Sequence, residues 1–158
     1  MKLASFVGVL IVAAVPLWAT CADDRLTIRG DFGQVTFSID VADDARERAQ
    51  GLMFVEEMPL LSGMLFIYEQ PQNVSFWMKN TLIPLDMLFA SPTGEILHIH
   101  ENAIPGDTTS ISGGEGVQMV LEINGGLSTR LGIAAGDVMQ HPSFGADAIL
   151  PCAENEGN

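Results

Sequence analysis

Five side chains carry the functional groups best suited to binding or catalysis: Trp77, Lys79, Asn80, Asp86 and Glu122. Four of them fall in the segment 76–89, which sets an indole, an ammonium, an amide and a carboxylate between two apolar runs. If residues 74–79 form a strand, Val74, Phe76 and Met78 point one way, and Ser75, Trp77 and Lys79 the other. Met78 then belongs to the core. Trp77 and Lys79 share the opposite face, where an indole wall and a cation suit an anionic or planar ligand. Asn80 both donates and accepts hydrogen bonds. A turn over residues 81–84 would return Asp86 opposite Lys79 or Asn80. Two readings stay open: a ligand site, or a half-buried Lys79–Asp86 pair that sets strand register while Asn80 ties the turn.

Glu122 lies between Leu121 and Ile123, and a carboxylate in such an apolar run requires a partner. Arg46, Arg48 and Lys79 are the candidates, and a structural Arg–Glu pair is the expected outcome. Asp86 and Glu122 also form the one carboxylate pair weighed for hydrolysis, at a separation the sequence does not define. His98 and His100, two residues apart, share a strand face and with His141 suggest metal ligation. Together with Met53, Met58, Met64, Met78, Met87, Met119 and Met139 they suggest a Cu(I) carrier. The simpler account is histidines on a solvent face and methionines filling an irregular core. No nucleophile elbow, zinc-protease helix or phosphate loop occurs, Gly113–Gly116 being acidic and outside a strand–helix context. No cofactor is expected.

The elements that must position these groups are mostly strands. Val35, Phe37, Ile39 and Val41 alternate with polar residues, the mark of a strand with one buried face. Leu26 and Ile28 suggest a partner strand, turned through Gly30 and Asp31. Asp43 and Asp44 predict the cap of a short helix that runs through Gln50 and stops at Gly51. Further strands are expected over 63–68, 74–78, 85–90, 95–101 and 117–123, and near Val138. Residues 70–73 read as a turn, 102–116 as a long loop and 126–131 as a second short helix. Seven to eight short strands with one or two short helices predict a mainly β domain, a small sandwich or barrel. With no long crossover helix between strands, a parallel α/β fold is disfavoured.

The N-terminus reads as an export signal: Lys2, an apolar stretch over 6–17, and small residues before a cut preceding Asp23. That assigns 1–22 to the signal and 23–158 to one β-rich domain with a flexible tail from about 146. Acylation of Cys21 as a lipid anchor is the alternative. A cut before Asp23 leaves Cys152 as a lone thiol, so stability must come from packing. The formal net charge of the 158-residue chain is −13, and the signal removes a base but no acid. Such a chain repels nucleic acid and anionic lipid.

The residues Arg46, Gly51-Leu52-Met53, Gly63-Met64-Leu65-Phe66, Phe76-Trp77-Met78-Lys79-Asn80-Thr81, Ile83-Pro84-Leu85-Asp86, Val120-Leu121-Glu122, Gly126 and Gly136-Asp137 occur in an order and spacing that resembles the family called domain of unknown function 192. The resemblance runs from about Leu26 to Gly145 and includes His141-Pro142. It implies a compact β-sandwich-like domain in small, often exported proteins, and no established activity, cofactor or catalytic residue. The expected function is a non-enzymatic exported module that binds a small ligand, a glycan or an envelope protein at Trp77, Lys79, Asn80, Asp86 and Glu122. The alternatives are a hydrolase using Asp86 and Glu122, or a periplasmic metal carrier using His98, His100 and methionines.

Overall fold

A computed structural model describes residues 21–152. The signal expected over 1–22 therefore lies outside the described residues, apart from Cys21 and Ala22. Seven strands form one sheet: β1 (Arg25–Gly30), β2 (Gly33–Ala42), β3 (Ser62–Phe76), β4 (Leu85–Ala90), β5 (Ile96–Ala103), β6 (Ile111–Asn124) and β7 (Val138–Gln140). Two short helices, α1 (Ala45–Gln50) and α2 (Leu127–Leu131), flank it. The strand order β5-β4-β6-β3-β2-β1-β7 curls into a half-barrel. Its ends draw together through the Glu95–Val138 bridge and the Ile96 N–H, which donates to the Asp137 carbonyl at 2.8 Å. The fold is mainly β, as the strand count predicts. One pair, β2 and β3, is nonetheless parallel. The crossover between them is α1 with residues 51–61, long enough for a parallel return without a long helix.

Both faces of the sheet carry apolar packing. One face gathers Leu26, Phe37, Leu65, Leu88, Leu121 and Ile123, and the other Phe66, Val74, Met78, Met87, Phe89 and Val120. Strand β4 lies between β5 and β6 and is buried along its whole length. Covering on two faces explains why it reads as an apolar run rather than an alternating one. Helix α1 starts where expected: the Asp44 carboxylate accepts the backbone N–H groups of Arg46 and Glu47, each at 2.8 Å. Gly51 closes it with φ 47°.

Two boundaries differ from expectation. Residues 70–73 are part of β3, which runs on through irregular pairing with β6 between Ile67 and Ser75. The expected loop 102–116 shrinks to 104–110, because the Gly-rich stretch is the start of β6. A Cβ at Gly113 would meet the Phe89 ring and lie 2.7 Å from Val74 Cγ2. Only glycine lets the strand pass that closely, so composition that reads as loop is the condition for a strand here.

The termini of the described region also differ. Cys21 and Cys152 form a disulfide, with Cα atoms 5.6 Å apart and a sequence separation of 131. Cys152 is therefore not a lone thiol, and the domain is stapled. The segment 146–152 is tied down as well. Ile149 N–H donates to the Thr93 carbonyl at 2.9 Å, and Gln140 Nε2 donates to the Pro151 carbonyl at 3.0 Å.

Candidate functional site

The chain leaves β3 at Phe76 and turns through 77–81. Met78 is fully buried. Its N–H donates to the Asp107 carbonyl at 2.7 Å, and its carbonyl accepts from Thr81 and Gly106, each at 3.0 Å. That anchorage pushes Trp77 to the other side, where it is 51% exposed. Lys79 Nζ lies 5.2 Å from the centroid of the Trp77 ring, a cation–π contact. Trp77 and Lys79 thus meet on the outer side, although β3 ends at Phe76 and neither lies in the strand expected to run through 79. Asn80 takes the left-handed conformation, φ 57°. Its carbonyl accepts the Phe54 N–H at 2.9 Å, and its side chain reaches Met53 Sδ at 3.8 Å. Asn80 therefore holds the turn to the 52–54 segment.

Beneath Trp77 lies a cleft of about 290 Å³. Its walls are Tyr68, Phe66, Phe76, Trp77 and Leu52, with Glu122 at the base. The Phe66 and Phe76 rings meet edge to face at 5.1 Å, which holds that wall rigid. Glu122 is 4% exposed and sits in register between Met64 of β3 and Met87 of β4. Among the described residues it has no ion-pair partner, so the expected Arg–Glu pair does not form. Arg48 is diverted: its guanidinium donates to the Asp43 carbonyl at 2.5 Å, the Ile67 carbonyl at 2.7 Å and Glu69 Oε1 at 3.2 Å, and lies 5.1 Å over the Tyr68 ring. Lys79 is turned to Trp77. Burial without a counter-charge pushes the Glu122 carboxyl up to about 8, so it is mostly protonated at neutral pH. Burial raises the Tyr68 hydroxyl too, and the Glu122 charge adds to that, against the lowering effect of Arg48.

Asp86 is not part of this cleft. It is registered opposite Ile123, whereas Glu122 is registered opposite Met87, so the two carboxylates project from opposite faces of the sheet. The pair weighed for hydrolysis is not assembled, and neither is a Lys79–Asp86 pair. Asp86 is fully buried, and its oxygens accept four hydrogen bonds. These come from Asn102 N–H at 2.8 Å, Gly126 N–H at 2.7 Å, Ser128 N–H at 2.9 Å and Ser128 Oγ at 2.6 Å. It ties the end of β5 to the first turn of α2 and satisfies N–H groups the helix itself leaves open.

The histidines do not converge either. The exposed His98 ring stacks on Phe89, at 5.2 Å between centroids. His141 is buried, with Nε2 at 3.1 Å from the Asp23 carbonyl and Nδ1 accepting the Ser143 N–H at 3.2 Å. Both its nitrogens are occupied, and burial lowers its proton affinity. Among the described residues, no three His, Cys, Asp or Glu side chains come together as a metal site.

The profile of a family described as "Uncharacterized ACR", the domain of unknown function 192, matches residues 26–141. The chain belongs to that family. Two crystal structures resemble this domain of unknown function 192 protein. One is a Sinorhizobium meliloti 1021 protein described as a proposed transcription regulator. It is 40% identical, with a TM-score of 0.72 and coverage of 76% of this chain and 94% of that one. The other, from Novosphingobium aromaticivorans DSM 12444, is a protein of unknown function. It is 38% identical, with a TM-score of 0.72 and coverage of 80% and 90%. No curated protein matches the chain.

Within this domain of unknown function 192 fold, the cleft uses side chains that sequence reasoning assigned elsewhere. Tyr68 and Phe66 read as strand core, and Arg48 as a partner for Glu122. The signal that was available is the pairing of Glu122 with β3, since any strand beside it must bring its same-face residues to the carboxyl. Phe54, 67% exposed with φ 66°, carries no sequence signal at all.

Proposed function

We propose that this protein is an exported, non-enzymatic binding module whose site is the cleft between Trp77 and Glu122. One observation carries the reading: a nearly sealed carboxyl with no ionic partner lies at the base of an aromatic-walled cavity. A carboxyl that is 4% exposed and has no ion pair carries a desolvation cost when charged, and a cleft with aromatic walls and a few polar groups is the usual form of a small-ligand site. Of the five residues expected at the site, Trp77 and Glu122 line the cleft and Lys79 packs on the indole. Asn80 and Asp86 serve the scaffold. The hydrolase pair of Asp86 and Glu122 is not supported, because the two carboxylates project from opposite faces of the sheet.

The disulfide supports export, since such bonds persist in oxidising compartments. It also favours processing upstream of Cys21, because a cut before Asp23 would discard half of the bond, and a lipid thioether would need the same sulfur. No helix among the described residues is long and apolar enough to cross a membrane. The regulator description of the Sinorhizobium relative is not extended to this chain, whose charge of −13 opposes binding to a phosphate backbone.

A fragment and glycan screen by thermal shift tests the reading. Binding in the cleft should raise the melting temperature of the wild type by mass action. The gain should vanish in Trp77→Ala, whose own melting temperature should stay close to wild type because the indole is half exposed. Compounds that stabilise both proteins equally would place binding elsewhere and overturn the assignment.

A further inference from the structure

The polar groups around the cleft differ in what they still have to offer a ligand. Arg48 gives three of its five N–H donors to two carbonyls and Glu69, which commits it largely to the scaffold. The Thr81 hydroxyl points to the Lys79 carbonyl at 3.5 Å, and Ser75 Oγ is 2.5 Å from Ser110 Oγ. Glu122 alone is a group that can carry a full charge and has no partner. Tyr68, Trp77, Phe66 and Phe76 line the same cleft, and Tyr68 and Trp77 each hold a cation of the chain over the ring, Arg48 at 5.1 Å and Lys79 at 5.2 Å. A carboxylate that shares a cleft with aromatic side chains can recognise organic cations, through charge pairing and ring quadrupoles together. The chain already shows the second half of this chemistry, since Lys79 rests on the Trp77 indole at 5.2 Å. The acidic surface adds a long-range attraction in the same sense.

We propose that the cleft binds a ligand bearing an organic ammonium group, with Glu122 as its counter-ion and Trp77 and Tyr68 as its aromatic walls. This rests on the cleft being the binding site, and narrows it to a ligand class. The titratable and charged groups around Glu122 are Arg48 from α1 and Tyr68 from β3, which line the cleft, and Asp40 of β2, which shares the Glu122 face through its register with Met64. Met87 faces it from β4 and is neutral. Arg48 is offset by Glu69 at 3.2 Å. With no counter-ion Glu122 keeps its proton. An incoming ammonium stabilises the carboxylate, and the proton leaves to solvent.

The test uses n-butylammonium and its uncharged analogue 1-butanol at pH 7 in amine-free phosphate, followed through the Trp77 indole N–H signal and by calorimetry, with proton release read by a pH indicator in weakly buffered, amine-free solution. We expect saturable binding of n-butylammonium at least about 10-fold tighter than 1-butanol. We also expect a loss of about 10-fold or more in Glu122→Gln. Since a carboxyl titrating at about 8 is about nine-tenths protonated at pH 7, close to one proton should be released per ligand bound. Equal binding of the two probes, or unchanged n-butylammonium affinity in Glu122→Gln, would overturn the ammonium assignment and leave the cleft as a site for neutral ligands. Failure of both probes, with no fragment hit at Trp77 either, would overturn the ammonium assignment and the site together.

Discussion

Replacing Glu122 by glutamine should stabilise this protein, increasingly so as the pH rises. In the native state the carboxyl holds its proton up to about 8 against an ordinary value of 4.5, because burial penalises its charge. That difference corresponds to about 5 kcal/mol between the two protonation states. The unfolded chain ionises Glu122 freely above 4.5, whereas the native state binds a proton there until about 8. A group whose native value is raised contributes its stability fully below the unfolded value and loses it as pH climbs through the native one. Stability should therefore fall by about 1.4 kcal/mol per pH unit across that window. The accumulated loss is about 3 kcal/mol at pH 7, and it levels off above 8. Glutamine keeps the shape and cannot ionise, so it escapes the loss. The assay is urea unfolding of wild type and Glu122→Gln at pH 5, 6, 7, 8 and 9, with the gap between them plotted against pH. All other titrating groups are common to both proteins and cancel. A gap that stays flat from pH 5 to 8 would refute the reasoning, for it would mean that the native carboxyl is solvated or paired.

Two further substitutions probe the scaffold. Asp86→Ala strands four donors that now meet a carboxylate, and should cost about 3 kcal/mol or more by chemical unfolding, without changing the pH dependence assigned to Glu122. Cys152→Ala opens a loop spanning 131 positions and should lower stability by up to about 5 kcal/mol. The variant should show no further response to a reductant, whereas the wild type should move toward it.

What could be read in advance follows from the range of the interaction. The cap of α1 at Asp44 and the alternation of β2 are local, and both are legible because each residue's role depends on its neighbours in sequence. The side of Trp77 was legible for the same reason: Met78 fills the core, and the residue just before it faces the other way. Asp86 was not legible, because its face is set by register against Ile123 across the sheet, and the residues 81–84 between it and Lys79 carry no record of that register. The continuation of β3 through Gln70 and Pro71 was hidden likewise, since bulged pairing with a glycine-bearing strand tolerates residues that usually mark turns. The pairing of Cys21 with Cys152 is the extreme case. Hydropathy near residue 22 describes a boundary for export, and nothing local tells it that the sulfur just inside that boundary is bonded to one at the far end of the domain. For Glu122 the sequence poses the question and the fold answers it. An apolar run with a carboxylate in its middle demands a partner, and only the placement of Arg48 on Asp43, Ile67 and Glu69 shows that no side chain of the fold supplies one. The demand therefore passes to whatever enters the cleft. That is why burial of this one carboxyl says more about function than the indole above it.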